Sequence, residues 1–333
     1  MTERLQKAGG SALMTKGEKA MSVLEAIIQG IVQGLTEFLP VSSSGHLALS
    51  QHILGVTENN LFFDVMLHLG TLIAVLAVYY KLVIRLLKAF FSMIADIFKG
   101  NFKWKNLNHD KRLVIMLIIG LVPLFLLFLP VPGTDLSFKD LSEEWANEGN
   151  LMVVGLSLLT TSVLLTLGVL ANKKVSQKYK NKEICASKNY GKKYYNPVDA
   201  ILVGIMQCLA AIFPGLSRSG STLSVGLLRG ISKQTALDYS FVLGIPSILA
   251  AALLEFKDVA ESGDFDLGIM PVIVGVVVSA IVGFLAIKLF KWLLATDKMW
   301  IFILYTAVCG TATIIVYLIE KYNNINIFTG LPV

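Results

Sequence analysis

The chain has 333 residues, of which 55% are hydrophobic and only 16% charged, and its mean hydropathy is +0.68. A soluble chain of this length carries about 25% charged residues, so the composition excludes a water-soluble globule and marks an integral membrane protein. The net charge of +6 does not mark a nucleic-acid binder, because Lys and Arg lie between apolar runs, where they orient membrane spans.

In chain order, residues 1–20 carry Arg4, Lys7, Lys16 and Lys19 without a signal peptide's apolar core. They read as an N-terminal extension, disordered or ahead of a true start at Met21. Ser22 and Glu25 supply a cap and an acidic first turn for an apolar helix that stops at Pro40, too short to span. Small polar residues from Val41 to His46 follow, then a second short apolar stretch. Three crossings come next, Phe62 to Leu82, Leu113 to Pro130 and Leu151 to Leu170, each near the roughly 20 residues that cover about 30 Å of hydrocarbon. Between the first two, Ile84 to Phe98 sets Arg85, Lys88, Ser92 and Asp96 against apolar residues at helical spacing, and reads as a separate helix lying on the membrane. The Lys-rich stretch 172–196 reads as a loop that folds little. Asn196, Pro197 and Asp199 open another short helix that stops at Pro214. After the Gly215 to Thr222 segment come crossings at Leu237 to Leu254, Pro271 to Phe290 and Trp300 to Ile319, and a tail over 323–333. Cys185, Cys208 and Cys309 have no paired spacing and no nearby His, which excludes a disulfide framework and a zinc motif.

The two halves align at an offset of about 174 residues, pairing Glu25 with Asp199, Gly30 with Gly204, Gln33 with Gln207, Pro40 with Pro214, Ser43 with Ser217, Asp64 with Asp238 and Gly70 with Gly244. The predicted fold class is all-α: six transmembrane helices plus two re-entrant helix hairpins in an inverted-topology repeat, the first copy over 21–171 and the second over 197–322. Three crossings per half force the inversion, and irregular polar backbone at membrane depth requires cover by protein or a water-filled cavity. Basic loops (Lys81 to Arg112, Lys173 to Lys193, Lys288 to Lys298) alternate with acidic ones around Glu143 and Asp264, which places the basic face in the cytoplasm. The first hairpin then opens outward, the second inward, and their tips meet near the middle. Asp64 and Asp238 read as helix caps, and His68 is open between a cavity wall and a core position.

The tips carry the chemistry. Gln33 and Glu37 lie four apart on one helix face, a turn before the first break, with Ser42, Ser43, Ser44, Gly45 and His46 following. The second tip, Gly215, Ser217, Arg218, Ser219, Gly220, Ser221 and Thr222, combines glycines and hydroxyls at a helix N-terminus with a guanidinium, an arrangement that cradles phosphate. At the repeat offset Glu37 faces Ala211, Ser44 faces Arg218 and His46 faces Gly220, so a duplicated scaffold carries an acid and an imidazole on one side and a guanidinium on the other. Ionisable residues at membrane depth are functional by default. Together they provide what phosphoryl transfer requires.

From Met21 onward the sequence resembles the undecaprenyl-diphosphate phosphatase family of the BacA type, associated with bacitracin resistance. The resemblance rests on an E/Q-xxx-E pair running into P-V-S-S-x-G-H (Gln33 to His46) and on P-G-x-S-R-S-x-x-T (Pro214 to Thr222). It implies hydrolysis of C55 polyprenyl diphosphate to the monophosphate and phosphate, recycling the carrier lipid for peptidoglycan synthesis. It also implies a plasma-membrane site open to the extracytoplasmic side and dependence on Mg²⁺ or Ca²⁺. By that resemblance Glu37, His46, Ser43 and Arg218 are catalytic, with Glu37 the evident metal ligand. Gln33, Ser42, Ser44, Gly45, Gly215, Ser217, Ser219, Gly220, Ser221 and Thr222 are the expected substrate-binding residues, of which Gln33, Ser217 and Thr222 are implied by the resemblance and the others by their place at the two tips. Gln33 stands where many members carry Glu, and supplies no charge there. His46 either attacks phosphorus or deprotonates Ser43 or water, and dimerisation is left open. The rival reading is a polyprenyl-phosphate flippase or secondary transporter, since inverted repeats are transporter features. The acid-phosphatase-type lipid phosphatases are excluded because no histidine follows His109.

Overall fold

The computed structural model describes residues 22–54, 61–103, 107–134, 136–140, 151–180, 190–262 and 269–330. The predicted extension 1–20, the acidic stretches 141–150 and 263–268 and part of the Lys-rich stretch lie outside the described residues. Among the described residues the chain is helical, without strands. Each half runs as two short helices and three crossings, the second crossing of the first half being the His109–Leu121 helix continued by a 3₁₀ turn to Phe128. The first comprises α1 (Val23–Thr36), α2 (Ser43–Leu54), α3 (Leu61–Phe98), α4 (His109–Leu121) and α5 (Leu151–Lys180). The second comprises α6 (Pro197–Ile212), α7 (Arg218–Leu228), α8 (Lys233–Ser262), α9 (Ile269–Ala295) and α10 (Trp300–Asn323).

The short helices start where the sequence caps them. Ser22 Oγ accepts the Glu25 N–H at 3.1 Å while the Glu25 carboxylate accepts the Ser22 N–H at 2.8 Å, and Asn196 and Asp199 repeat the exchange at 2.8 and 3.4 Å. Such boxes are worth about 1 kcal/mol each. Six helices are long and apolar enough to cross a membrane, matching the predicted crossings, and the chain is a multi-pass membrane protein. Ile73, Val163, Ile281 and Val308 stay exposed on them, as a hydrocarbon surround requires.

Four expectations change. The stretch Ile84 to Phe98 is no separate surface helix: α3 runs unbroken for 38 residues, about 57 Å at 1.5 Å per residue. No Gly or Pro lies between Gly70 and Gly100 to stop it, and an ion pair between Asp96 and Lys111 ties its far end to α4. The second crossing tightens into a 3₁₀ turn over Val122–Phe128, where Pro123 lacks the N–H that would continue α4. The Lys-rich stretch begins inside α5, so Lys173, Lys174 and Lys178 are helical. Asp238 is not a cap, since its carboxylate accepts the Tyr79 hydroxyl at 2.7 Å and the Gln234 amide at 2.8 Å from within α8.

The halves interlock. α1 packs along α9 and its counterpart α6 against α4, each on the other half's middle long helix or its equivalent, while α3 meets α8 and α5 meets α10. The equivalent glycines Gly30 and Gly204 permit this approach, because a Cβ there would stand 2.9 Å from the Gly275 carbonyl and 2.3 Å from the Gly120 carbonyl. Phe38, 1% exposed, anchors the first break edge-on against Phe241 at 5.4 Å. The breaks are thereby fixed against a packed core.

Candidate active site

Both breaks end in the same capping turn. Ser42 Oγ accepts the Gly45 N–H at 3.3 Å and its carbonyl accepts the His46 N–H at 3.3 Å; Ser217 does the same for Gly220 at 3.1 Å and Ser221 at 2.9 Å. The hydroxyls of Ser42 and Ser44 are 3.3 Å apart, as are those of Ser217 and Ser219. Ser42-Ser43-Ser44-Gly45-His46 thus superposes in role on Ser217-Arg218-Ser219-Gly220-Ser221, one residue out of the register read from sequence. Ser43 matches Arg218, and His46 matches Ser221. The cause is turn length: one residue, Val41, separates Pro40 from its cap, whereas Gly215 and Leu216 separate Pro214 from Ser217. The shorter turn holds Ser42 at φ 74°, left-handed backbone that non-glycine residues rarely adopt.

The tips are in contact. Ser219 Oγ donates to the Leu39 carbonyl at 3.0 Å, the Gly215 N–H points to Ser44 Oγ at 3.4 Å, and a Cβ on Gly45 would lie 3.0 Å from Gly215 Cα. At the junction the Glu37 carboxylate, 5% exposed, is held from three sides. Arg218 Nη2 donates to Oε1 at 2.7 Å, while Ser43 Oγ and Gln33 Nε2 donate to Oε2 at 2.7 and 3.0 Å. His68 Nε2 stands 3.8 Å from the same oxygen. Arg218 reaches Glu37 by lying flat on Gly244, where a Cβ would come within 1.9 Å of Nη1. A cavity of about 60 Å³ opens beside them, walled by Glu37, Ser42, Ser43, Ser44, Ser217 and Arg218.

The remaining predicted residues fall behind or beside this cavity. The Ser217 N–H donates to Thr161 Oγ1 at 3.0 Å, a buried strut from α5. Thr222, 1% exposed, donates to the Arg218 carbonyl at 2.8 Å and lies 2.6 Å from Ser240 Oγ; Ser221 is fully buried, with no partner for its hydroxyl among the described residues. Both support the loop from within. In the first turn of α7 the Gly220 and Ser221 amides are used by the cap, while helix geometry leaves those of Arg218 and Ser219 without an intrahelical acceptor. His46 lies off the cavity wall: its Nδ1 is 2.7 Å from the Ser42 carbonyl and its Nε2 is 2.8 Å from the Tyr305 hydroxyl. Sequence reasoning missed Tyr305 and Thr161, and saw Gly244 only as a repeat match.

A divalent cation finds a partial donor set. Among the described residues no three His, Cys, Asp or Glu side chains converge as a metal cage. Gln33 Oε1, however, is buried beside Glu37 without a hydrogen-bond partner among the described residues. One carboxylate and one amide oxygen suit a hard cation that takes its other ligands from phosphate and water.

Comparison with known proteins places this geometry in a family. The profile described as "Bacitracin resistance protein BacA" matches residues 26–312. A protein named undecaprenyl-diphosphatase from Alkaliphilus metalliredigens is 39% identical over 296 residues, 89% of this chain and 98% of the relative. Proteins of the same name from Methanobrevibacter smithii and Bacteroides thetaiotaomicron are 39% identical over 292 residues and 36% over 301, covering 87% and 90% of this chain and 96% and 100% of the relatives. With both breaks, both tip motifs and the Asn196–Asp199 capping box inside the matched span, the chain belongs to the bacitracin resistance protein BacA family.

Proposed function

We propose that the chain is an undecaprenyl-diphosphatase, hydrolysing undecaprenyl diphosphate to the monophosphate and inorganic phosphate, an activity that recycles the carrier lipid for cell-wall synthesis. The observation that carries the mechanism is the shared carboxylate: Glu37 takes hydrogen bonds at 2.7 Å from both a hydroxyl, Ser43, and a phosphate-binding guanidinium, Arg218. At 14 and 16 residues, α1 and α6 reach only about 21 and 24 Å, short of the roughly 30 Å hydrocarbon. We read the α1–α2 and α6–α7 pairs as re-entrant, with the second half inverted and the site open to the extracytoplasmic side.

Substrate phosphate oxygens compete with Glu37 for the Arg218 fork, and the free amides of Arg218 and Ser219 add two donors. Released from Arg218, Glu37 accepts the Ser43 proton while Ser43 Oγ bonds to the terminal phosphorus. The bridging P–O bond breaks with its electron pair leaving on undecaprenyl phosphate. That leaving group is itself a phosphate anion, so it needs charge stabilisation rather than a proton. Water then attacks the phosphorus of phosphoserine, giving a proton to His46 Nε2 as the P–Oγ bond breaks; Ser43 Oγ recovers its proton from Glu37, and His46 returns its proton to solvent as inorganic phosphate leaves. His46 follows Ser43 by one turn on the same face of α2, which suits it to this second step. Glu37 and the Gln33 amide oxygen are the groups that would hold a Mg²⁺ or Ca²⁺ ion, whose chemistry is to neutralise charge on the diphosphate.

Phosphate release from undecaprenyl diphosphate by the purified chain in detergent, where no transport is possible, tests the assignment. Release by the wild type and loss in Glu37→Gln is the expected result. Absence of release from folded protein would return the transporter reading.

A further inference from the structure

We propose that Tyr305 of α10 is the positioning residue for His46, holding the Nε2 lone pair that the Ser42 carbonyl leaves free and fixing where it points; this rests on the role given to His46 above. The Ser42 carbonyl, 2.7 Å from Nδ1, can only accept, so Nδ1 carries the hydrogen. Nε2 is then the unprotonated nitrogen, and the Tyr305 hydroxyl at 2.8 Å is its donor. The two rings also stack, with centroids 5.6 Å apart and planes 13° from parallel, an offset arrangement that restrains rotation of the imidazole. Each contact alone is ordinary. Together they hold both nitrogens and the ring plane of one histidine.

The bland alternative is an aromatic-belt tyrosine at the membrane surface, which presents its hydroxyl to water. Tyr305 instead turns its hydroxyl onto a residue of the other half of the chain. Its helix is pinned close by, where Ser162 of α5 donates to the Ile303 carbonyl at 2.8 Å and Phe302 packs edge-on against Phe290 at 5.3 Å. The donor therefore belongs to a rigid element, as a positioning group must.

The consequence for turnover is specific. With Nε2 unprotonated and held by a weak neutral donor, a water proton can be accepted there once Tyr305 yields; with the hydrogen on Nε2 it cannot. Tyr305 touches neither the cavity wall nor the Glu37 clasp, so its loss acts on kcat and spares substrate binding.

The test uses the full chain in detergent with Tyr305→Phe, which keeps the ring and removes the hydroxyl, and Tyr305→Trp, which restores a ring-borne N–H donor. For Tyr305→Phe we expect kcat to fall about tenfold, the cost of one neutral hydrogen bond, with KM within about twofold and partial recovery in Tyr305→Trp. The chain has four histidines, so the ¹⁵N resonances of His46 are assigned by their loss in His46→Gln. Tyr305→Phe should move its Nε2 signal, because the unprotonated nitrogen loses its hydrogen-bond donor. An unchanged Nε2 signal, or a wild-type kcat in Tyr305→Phe when His46→Gln is slow, overturns the inference alone. A wild-type rate in His46→Gln instead overturns the underlying role of His46.

Discussion

Ser43 and Arg218 occupy the same position, the first residue of the second short helix, in the two copies of the repeat, and both donate at 2.7 Å to the carboxylate of Glu37. One copy contributes a hydroxyl and the other a guanidinium to an acid that the second copy lacks, since Ala211 stands at its place. The two copies share a scaffold, and the chemistry lies in where they differ.

Arg218→Lys keeps the charge and loses the planar fork, and turnover should drop roughly a hundredfold with little change in folding. Arg218→Ala should in addition destabilise the protein by about 3 kcal/mol, because it strands Glu37 as a buried unpaired charge. Phosphate release and thermal unfolding in detergent separate the two effects.

Gly244→Ala is a sharper probe because it touches neither substrate nor acid. In a helix interior this change ordinarily favours the fold by up to about 1 kcal/mol. Here the new methyl would meet Arg218 Nη1 at 1.9 Å, so the guanidinium must leave Glu37 and activity should fall at least about tenfold in a protein that still folds. Wild-type kcat in Gly244→Ala would contradict the described seat of Arg218.

Thr161→Val removes the acceptor of the Ser217 N–H, a bond of 3.0 Å at a residue with no exposure. An unsatisfied buried amide costs about 1 to 3 kcal/mol, so the unfolding midpoint should drop. KM should rise as the phosphate-binding turn loosens.

Gln33→Glu would place a second carboxylate beside Glu37, where Gln33 Nε2 now donates at 3.0 Å. The pair repels itself without a cation, so activity should become more steeply dependent on added Mg²⁺ or Ca²⁺ and more sensitive to chelator than the wild type. Titration of each cation against phosphate release checks this.

Much of the molecule was legible in the sequence because its signals are local. The capping residues Ser22 and Asn196, the stops at Pro40 and Pro214, and the six apolar runs each follow from short-range rules. The meeting of Glu37 and Arg218 followed from the repeat and the alternation of basic and acidic loops. The register at the tips was not legible: Pro40 and Ser43 align with Pro214 and Ser217 by identity, which hides that one turn is a residue shorter and that Ser43 is the counterpart of Arg218. The unbroken α3 was missed because its polar residues after Lys81 resemble an interfacial helix, and only the absence of a breaker argues otherwise. Nothing in sequence separates Tyr305 from other aromatics on a lipid-facing helix; its role depends on a contact between segments distant in the chain.

The most direct test of the central claim is a rapid-quench experiment with undecaprenyl diphosphate labelled in its terminal phosphate, using His46→Ala to slow the second step. Label should appear on Ser43 and survive acid, as a phosphoserine does, and should be absent in Ser43→Ala and Glu37→Gln. Acid-labile label on the wild type that disappears in His46→Ala, or full turnover by Ser43→Ala, would contradict it.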